Sequence, residues 1–73
     1  MGYPTFNYPP AIRQEGGCKV GWLWYATRDE AEQASKVAVD EANHKAWLGY
    51  DFGYCVPGEI RETKDGLWRV TKP

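Results

Sequence analysis

Two cysteines and one histidine are the side chains best suited to nucleophilic or metal chemistry in this sequence. Cys18 and Cys55 fall in predicted strands, whereas His44 lies near the polar edge of a predicted helix. A Cys/His nucleophile pair is therefore not expected. The same three residues are too few for a structural zinc site. No glycine-rich phosphate loop or Gly-x-Ser-x-Gly motif occurs, so the sequence predicts a protein that is not an enzyme and holds no metal or cofactor.

A second set of residues favours binding chemistry. Tyr25, Arg61 and Arg69 fall on the predicted outward face of a sheet, with Lys19 nearby. Aromatic rings stack on bases and arginine pairs bidentately with phosphate, so these residues predict a site for a small anionic ligand such as a nucleotide. The alternative is a solvated face on which charged neighbours, such as Arg69 and Glu62, neutralise each other.

Aromatic residues make up 15% of the chain, with four Trp, five Tyr and two Phe. So short a chain has difficulty burying eleven large rings, and we expect some at an interface. Trp47 falls on the polar side of the predicted helix. Either the N-terminal arm or the strand after Gly49 buries it, or it anchors a partner contact. The candidate interface residues are Trp47, Tyr3, Phe6 and Tyr8.

Size and charge limit the classes of partner. Seventy-three residues with a net charge of −1 predict one small domain that gains support from self-association, as a dimer or higher oligomer. The absence of a basic excess argues against a nucleic-acid polymer as partner. No apolar run of membrane-spanning length and no secretory signal is found, which predicts a cytoplasmic protein with reduced thiols. A bridge between Cys18 and Cys55 stays open if their strands are neighbours.

Residues 1–17 are predicted to form an extended arm rich in proline and aromatic side chains, and residues 18–73 the folded domain. The first strand is predicted over Cys18–Ala26. Successive side chains of the strand point to opposite faces. One face carries Trp22 and Trp24 and is expected to form the core side, while the other carries Leu23 and Tyr25. Because both faces are apolar, the strand should be central or covered.

The helix has the clearest local pattern. Thr27 and Glu30 form a predicted capping box, and Gly49 a C-terminal stop, so the helix should run from about Arg28 to Leu48. The middle of its apolar arc is almost entirely alanine. Small side chains allow close approach to a sheet, and the bulk is then expected from Trp22 and Trp24.

Three further strands are predicted after the helix, over Tyr50–Val56, Glu59–Thr63 and Leu67–Thr71. Pro57-Gly58 fits a type II turn, and residues 64–66 fit a hairpin turn. The predicted fold is an α+β single small domain of order β-α-β-β(-β). Its one long helix packs on one face of a mostly antiparallel sheet of three or four strands.

Several segments together resemble small uncharacterised proteins of tailed phages. They are the Thr-capped Ala/Glu-rich helix, Gly21-Trp22-Leu23-Trp24-Tyr25, Gly49-Tyr50-Asp51-Phe52-Gly53-Tyr54, Val56-Pro57-Gly58 and Leu67-Trp68-Arg69-Val70-Thr71-Lys72-Pro73. The resemblance covers most of residues 9–73. It implies a non-catalytic accessory or host-takeover role in the host cytoplasm, and it transfers no functional residues.

These observations predict a non-enzymatic homo-oligomer that captures a small anionic ligand, such as a nucleotide, between its subunits. The first alternative is a protein–protein inhibitor that binds a host protein through exposed aromatic side chains. The second is a single-stranded nucleic-acid-binding module, which the net charge disfavours.

Overall fold

The computed structural model describes residues 5–16 and 20–73. One helix packs on one face of a four-stranded antiparallel sheet, so the predicted α+β class is confirmed. The order is β-β-α-β-β, with one strand more than predicted before the helix and two strands after it instead of the three predicted. The elements are β1 (Arg13–Gly16), β2 (Gly21–Tyr25), α1 (Arg28–Trp47), β3 (Ile60–Glu62) and β4 (Trp68–Lys72).

The sheet has the spatial order β1-β2-β4-β3, and every neighbouring pair is antiparallel. β4 is therefore central and hydrogen-bonds to both β2 and β3. Trp24 of β2 lies opposite Arg13 of β1 on one side and Arg69 of β4 on the other. Arg69 in turn lies opposite Arg61 of β3. This register places the four side chains in one row across the sheet, on the same face.

The ends of α1 follow the predicted capping signals. The backbone N–H of Glu30 donates to the Thr27 hydroxyl at 3.3 Å, and that hydroxyl donates to the Glu30 carboxylate at 3.1 Å. At the other end Gly49 has a φ of 95°. This left-handed conformation commonly ends helices, and glycine adopts it without steric cost because it has no Cβ atom. Local sequence is thus sufficient to fix both ends of this helix.

The core forms where the alanine side of α1 meets the sheet. The helix uses the face that was predicted, whereas β2 uses the opposite one. Ala31, Ala34 and Ala38 are fully buried, and they pack with Leu23, Tyr25 and Val70. The prediction that Trp22 and Trp24 form the core side of β2 is wrong, because both are only half-buried and alternate with the buried positions. The tryptophans instead occupy the sheet face opposite the helix.

The segment after α1 is not a strand. The predicted strand Tyr50–Val56 is wrong, because this stretch forms turns. The Asp51 carboxylate accepts from the backbone N–H of Gly53 at 2.9 Å, and Gly53 has a φ of 65°. A local side-chain hydrogen bond and a left-handed glycine break the extended backbone that its alternating aromatic residues favour.

A fourth strand comes instead from the predicted N-terminal arm, where Arg13–Gly16 pairs with β2. The rest of the described arm runs over the helix side of the domain. Tyr8 packs against the core and its hydroxyl donates to the Glu41 carboxylate. The Phe6 ring lies 6.0 Å from the His44 ring. The last described residues of the predicted arm, Arg13–Gly16, therefore belong to the sheet.

The Pro57-Gly58 turn holds β3 close to the helix. The backbone N–H of Glu59 donates to the Val56 carbonyl at 3.2 Å, and Gly58 has a φ of 84°, as a type II turn requires. The Ser35 hydroxyl donates to the Gly58 carbonyl, and the Gly58 N–H donates to the Thr71 carbonyl at 2.6 Å. This turn thus joins α1 to the central strand.

Tyr25 is buried, contrary to its predicted position on the outward face. Its ring is fully inaccessible, and its hydroxyl donates to the Pro9 carbonyl at 2.9 Å. Loss of hydration, with a smaller contribution from the Glu30 carboxylate, raises the pKa of Tyr25 to about 12. The residue therefore anchors the arm to the core and cannot present its ring to a ligand on the opposite face.

The raised pKa of Tyr25 predicts a loss of stability in strong base. The unfolded chain releases this proton near pH 10 and the folded one near 12. The stabilisation by the neutral phenol is complete below pH ~10 and is lost as pH rises from ~10 to ~12. Urea unfolding between pH 8 and 12 measures this decline. Tyr25→Phe should reduce it, whereas Tyr54→Phe, at a fully exposed ring, should retain it. An unchanged decline in Tyr25→Phe would contradict the assignment.

Candidate functional site

The sheet face opposite α1 carries a concentration of indole and guanidinium groups, which we call the open sheet face. Its central row is Arg13, Trp24, Arg69 and Arg61, one residue from each strand. Trp22 lies two residues from Trp24 on the same strand and so on the same face. The only helix of the described residues packs on the other side of the sheet.

Two arginines of this face stack on its two indoles. The Arg13 guanidinium lies 4.7 Å from the Trp24 ring centroid, and the Arg69 guanidinium lies 5.9 Å from that of Trp22. Both distances fall within the range of favourable cation–π contacts. Trp22, Trp24 and Arg69 are each half-buried. These contacts favour side-chain rotamers that place each guanidinium near an indole ring.

The outer arginines of the row are paired with carboxylates, and the central one is not. Arg13 forms an ion pair with Glu15, two residues along β1. Arg61 forms one with Glu59 at 2.7 Å. Among the described residues no carboxylate lies within ion-pair distance of Arg69. The centre of the open sheet face therefore has an uncompensated positive charge, and its two margins are close to neutral.

Arg61 and Arg69, which the sequence assigned to one face, are direct cross-strand neighbours. Tyr25 lies on the opposite face and is buried, so its predicted place in this set is wrong. Lys19 lies outside the described residues. Three members were missed, namely Arg13, Trp22 and Trp24. The alternation in β2 contained the signal, because Leu23 and Tyr25 form an equally apolar set that is better matched to a single helix.

The predicted interface residues are divided between two environments. Phe6 and Tyr8 are half-buried against α1, whereas Trp47 is 81% exposed. The interpretation that the arm or the following segment buries Trp47 is wrong. Its ring approaches only that of His44 among the described rings, at 6.3 Å. Tyr3 and Cys18 lie outside the described residues, and Cys55 is an exposed free cysteine. A bridge between the two cysteines was an alternative to the predicted reduced thiols, and Cys18 lies outside the residues that could decide it.

The described residues form no enclosed pocket, and they bring together no group of three or more potential metal ligands. Among the described residues, no helix is both long enough and apolar enough to cross a bilayer. A ligand on the open sheet face would therefore lie on a platform, with one side in water unless another molecule covers it.

Comparisons of the chain with protein-family models, with curated proteins and with solved structures gave no match in any of the three.

Proposed function

We propose that this chain is a non-enzymatic binding protein that captures a small anionic ligand with an aromatic ring, such as a nucleotide, on its open sheet face. The observation that carries this proposal is the cross-strand row of Arg13, Trp24, Arg69 and Arg61. Indole rings provide a stacking surface for a base, and a guanidinium provides a bidentate donor for a phosphate oxygen.

The lack of an enclosed pocket among the described residues supports capture between subunits. A small ligand bound to one protomer would keep one side in water, and a short chain can enclose a ligand by pairing with a second copy. The exposed aromatic side chains are consistent with such an assembly. The resemblance to small tailed-phage proteins supports an accessory role in the host cytoplasm.

The test is calorimetric titration of the purified chain with nucleoside mono- and triphosphates and dinucleotides, alongside native mass spectrometry. We expect binding, with liganded species that contain two or more protomers. Arg69→Gln removes the uncompensated charge but keeps a similar side-chain stem. It should weaken binding about 10- to 100-fold, the loss expected for one charge-assisted hydrogen-bond pair.

The matched control is Lys36→Gln, which removes one positive charge from an exposed position on α1. This variant should bind as the parent does. An equal loss in both variants would indicate a general charge effect rather than a site on the sheet. Absence of binding to every nucleotide tested would overturn the proposal, and ligand bound only to monomers would overturn its oligomeric part.

The exposure of Trp47 favours a second candidate function, a protein–protein inhibitor. Trp47 and Tyr54 are 81% and 106% exposed, respectively, and tryptophan and tyrosine are enriched at binding hot spots. In this function a host protein would be recovered with the chain and released by Trp47→Ala. Recovery that is unchanged by Trp47→Ala would remove Trp47 as the anchor.

A further inference from the structure

The distribution of charge on the open sheet face limits the number of phosphates that a ligand can carry. Arg13 and Arg61 are each neutralised by a glutamate on the same segment. Arg69, between them, has no carboxylate within ion-pair distance among the described residues. One net positive charge therefore lies between Glu15 and Glu59. A ligand that carries more than one negative charge therefore meets only one uncompensated positive charge on this face.

The spacing of the rings defines the rest of the ligand. Trp22 and Trp24 are two residues apart on β2, which places their Cα atoms about 6.5 Å apart along the strand. Arg69 is directly opposite Trp24, and its guanidinium lies over the Trp22 ring. The uncompensated guanidinium thus lies over one indole, and Arg69 is the cross-strand neighbour of the other. The pattern is two indole–guanidinium pairs, of which only the pair of Trp22 and Arg69 has an uncompensated charge, and bases stack on guanidinium planes as well as on aromatic rings.

We infer that the open sheet face recognises two nucleobases joined by one phosphodiester, which deepens the proposed function and depends on it. A phosphodiester carries one negative charge, in contrast to the larger charge of a terminal phosphate at neutral pH. One charge matches Arg69, and two bases match Trp22 and Trp24. The occupant that the charge favours is a free linear or cyclic dinucleotide, because a chain with a net charge of −1 disfavours a nucleic-acid polymer. A step of single-stranded nucleic acid presents the same chemistry and is an outcome of the test.

The test compares ligands of equal base and different phosphate count on the parent chain. The probes are AMP, ATP, the linear dinucleoside monophosphate ApA, cyclic di-AMP and an eight-residue oligoadenylate. We expect ApA to bind about 5- to 150-fold more tightly than AMP, because a second stacked base contributes ~1–3 kcal/mol. ATP should bind no better than AMP. Binding of ApA or cyclic di-AMP at least as tight as that of the oligoadenylate supports a free dinucleotide, and a markedly tighter oligoadenylate would overturn that choice of occupant in favour of a single strand.

Salt dependence gives an independent count of phosphate contacts. The ligand for this measurement is the oligoadenylate, because the slope per phosphate contact is known for single strands. With one contact, the slope of log K against log salt concentration should be near −0.7, so the affinity should fall about threefold between 50 and 200 mM salt. Three contacts, from all three arginines, would give a slope near −2. The steeper slope would overturn the assignment of Arg69 as the only phosphate contact.

Neutralising the two marginal carboxylates tests the selectivity directly. The double variant Glu15→Gln/Glu59→Gln releases Arg13 and Arg61 from their ion pairs and should strengthen ATP binding about tenfold or more, as expected for an added charge-assisted contact. ApA binding should change little. Glu32→Gln, which breaks the exposed pair with Arg28 on α1, is the control and should alter neither.

The failures of the two proposals are distinguishable. If AMP or ATP binds as tightly as ApA and binding is lost in Arg69→Gln, the proposed function is supported and the phosphodiester inference is overturned. If the double glutamine variant gains no affinity for ATP, the inference is likewise overturned. If none of the five probes binds, both proposals fail together.

Discussion

Replacing Gly58 by alanine is expected to lower the free energy of unfolding by about 2–4 kcal/mol, through left-handed backbone strain and steric overlap together. Gly58 has a φ of 84°. A Cβ there would lie 2.7 Å from Cγ2 of Val39 and 3.1 Å from the Ser35 carbonyl oxygen. The helix backbone cannot retreat without disturbing the hydrogen bonds of the turn. Because so small a core supplies about 3–5 kcal/mol, we expect the variant to be largely unfolded at 37 °C.

Two comparisons separate the strain from the overlap. Gly66 has a φ of 78°, and a Cβ there would meet nothing within 4 Å, so Gly66→Ala should lose only the backbone term of about 1–2 kcal/mol. Adding Val39→Ala to Gly58→Ala removes the closest atom and should restore part of the stability. Urea unfolding measures all four proteins. Equal losses in Gly58→Ala and Gly66→Ala would show that the turn is not packed against the helix.

The second large effect is expected at Leu23. Its side chain is 2% exposed and packs with Val70 and the alanines of α1. Leu23→Ala should lower the free energy of unfolding by about 2–5 kcal/mol, since it removes buried apolar surface and leaves a cavity. Thermal and urea unfolding, followed by circular dichroism, give this value.

The matched variant is Trp22→Leu, one residue away on the opposite face of β2. It removes an indole that is only half-buried and a cation–π contact with Arg69, which is worth about 0.5–1 kcal/mol at an exposed site. The loss should therefore be clearly smaller than that of Leu23→Ala. The reverse order would mean that the tryptophan face of β2 is the core, as the hydrophobic pattern alone predicts.

The parts of the fold that sequence predicted correctly are those decided by local interactions. Thr27, Glu30 and Gly49 fix the ends of α1 through their own hydrogen bonds and backbone preferences. The hairpin around Gly66 was predicted for the same reason. Observed strand β3 lies within its predicted range, and β4 is shifted by one residue.

The errors arise where tertiary context decides. The sequence Arg13–Gly16 has little intrinsic preference for a strand, and it becomes one because it pairs with the edge of β2. In the reverse case, polar and apolar side chains alternate over residues 50–56 as they do in a strand, but the hydrogen bond from the Gly53 N–H to the Asp51 carboxylate stabilises a turn instead. β2 is apolar on both faces, so composition could not decide which face the single helix covers.

Which side chains form the candidate site depends on which face of β2 the helix covers. The adjacency of Arg61 and Arg69 was foreseeable from the hairpin that joins their strands. The contribution of Arg13 was not, because it depends on β1. Because the helix packs on the Leu23 and Tyr25 face of β2, Tyr25 is a core residue and the two tryptophans belong to the candidate site, the reverse of the prediction.

The central position of β4 has a consequence for how the chain acquires its structure. β1 with β2, and β3 with β4, are hairpin-like pairs, and α1 forms from neighbouring residues, so each half can begin to organise alone. The contact of β2 with β4 joins the two halves and must wait for closure of the long intervening segment. Until then the rim of β2 that later accepts β4 is unpaired, and a partner strand from another copy could occupy it. The same geometry that builds the platform thus creates a brief opportunity for strand exchange during folding.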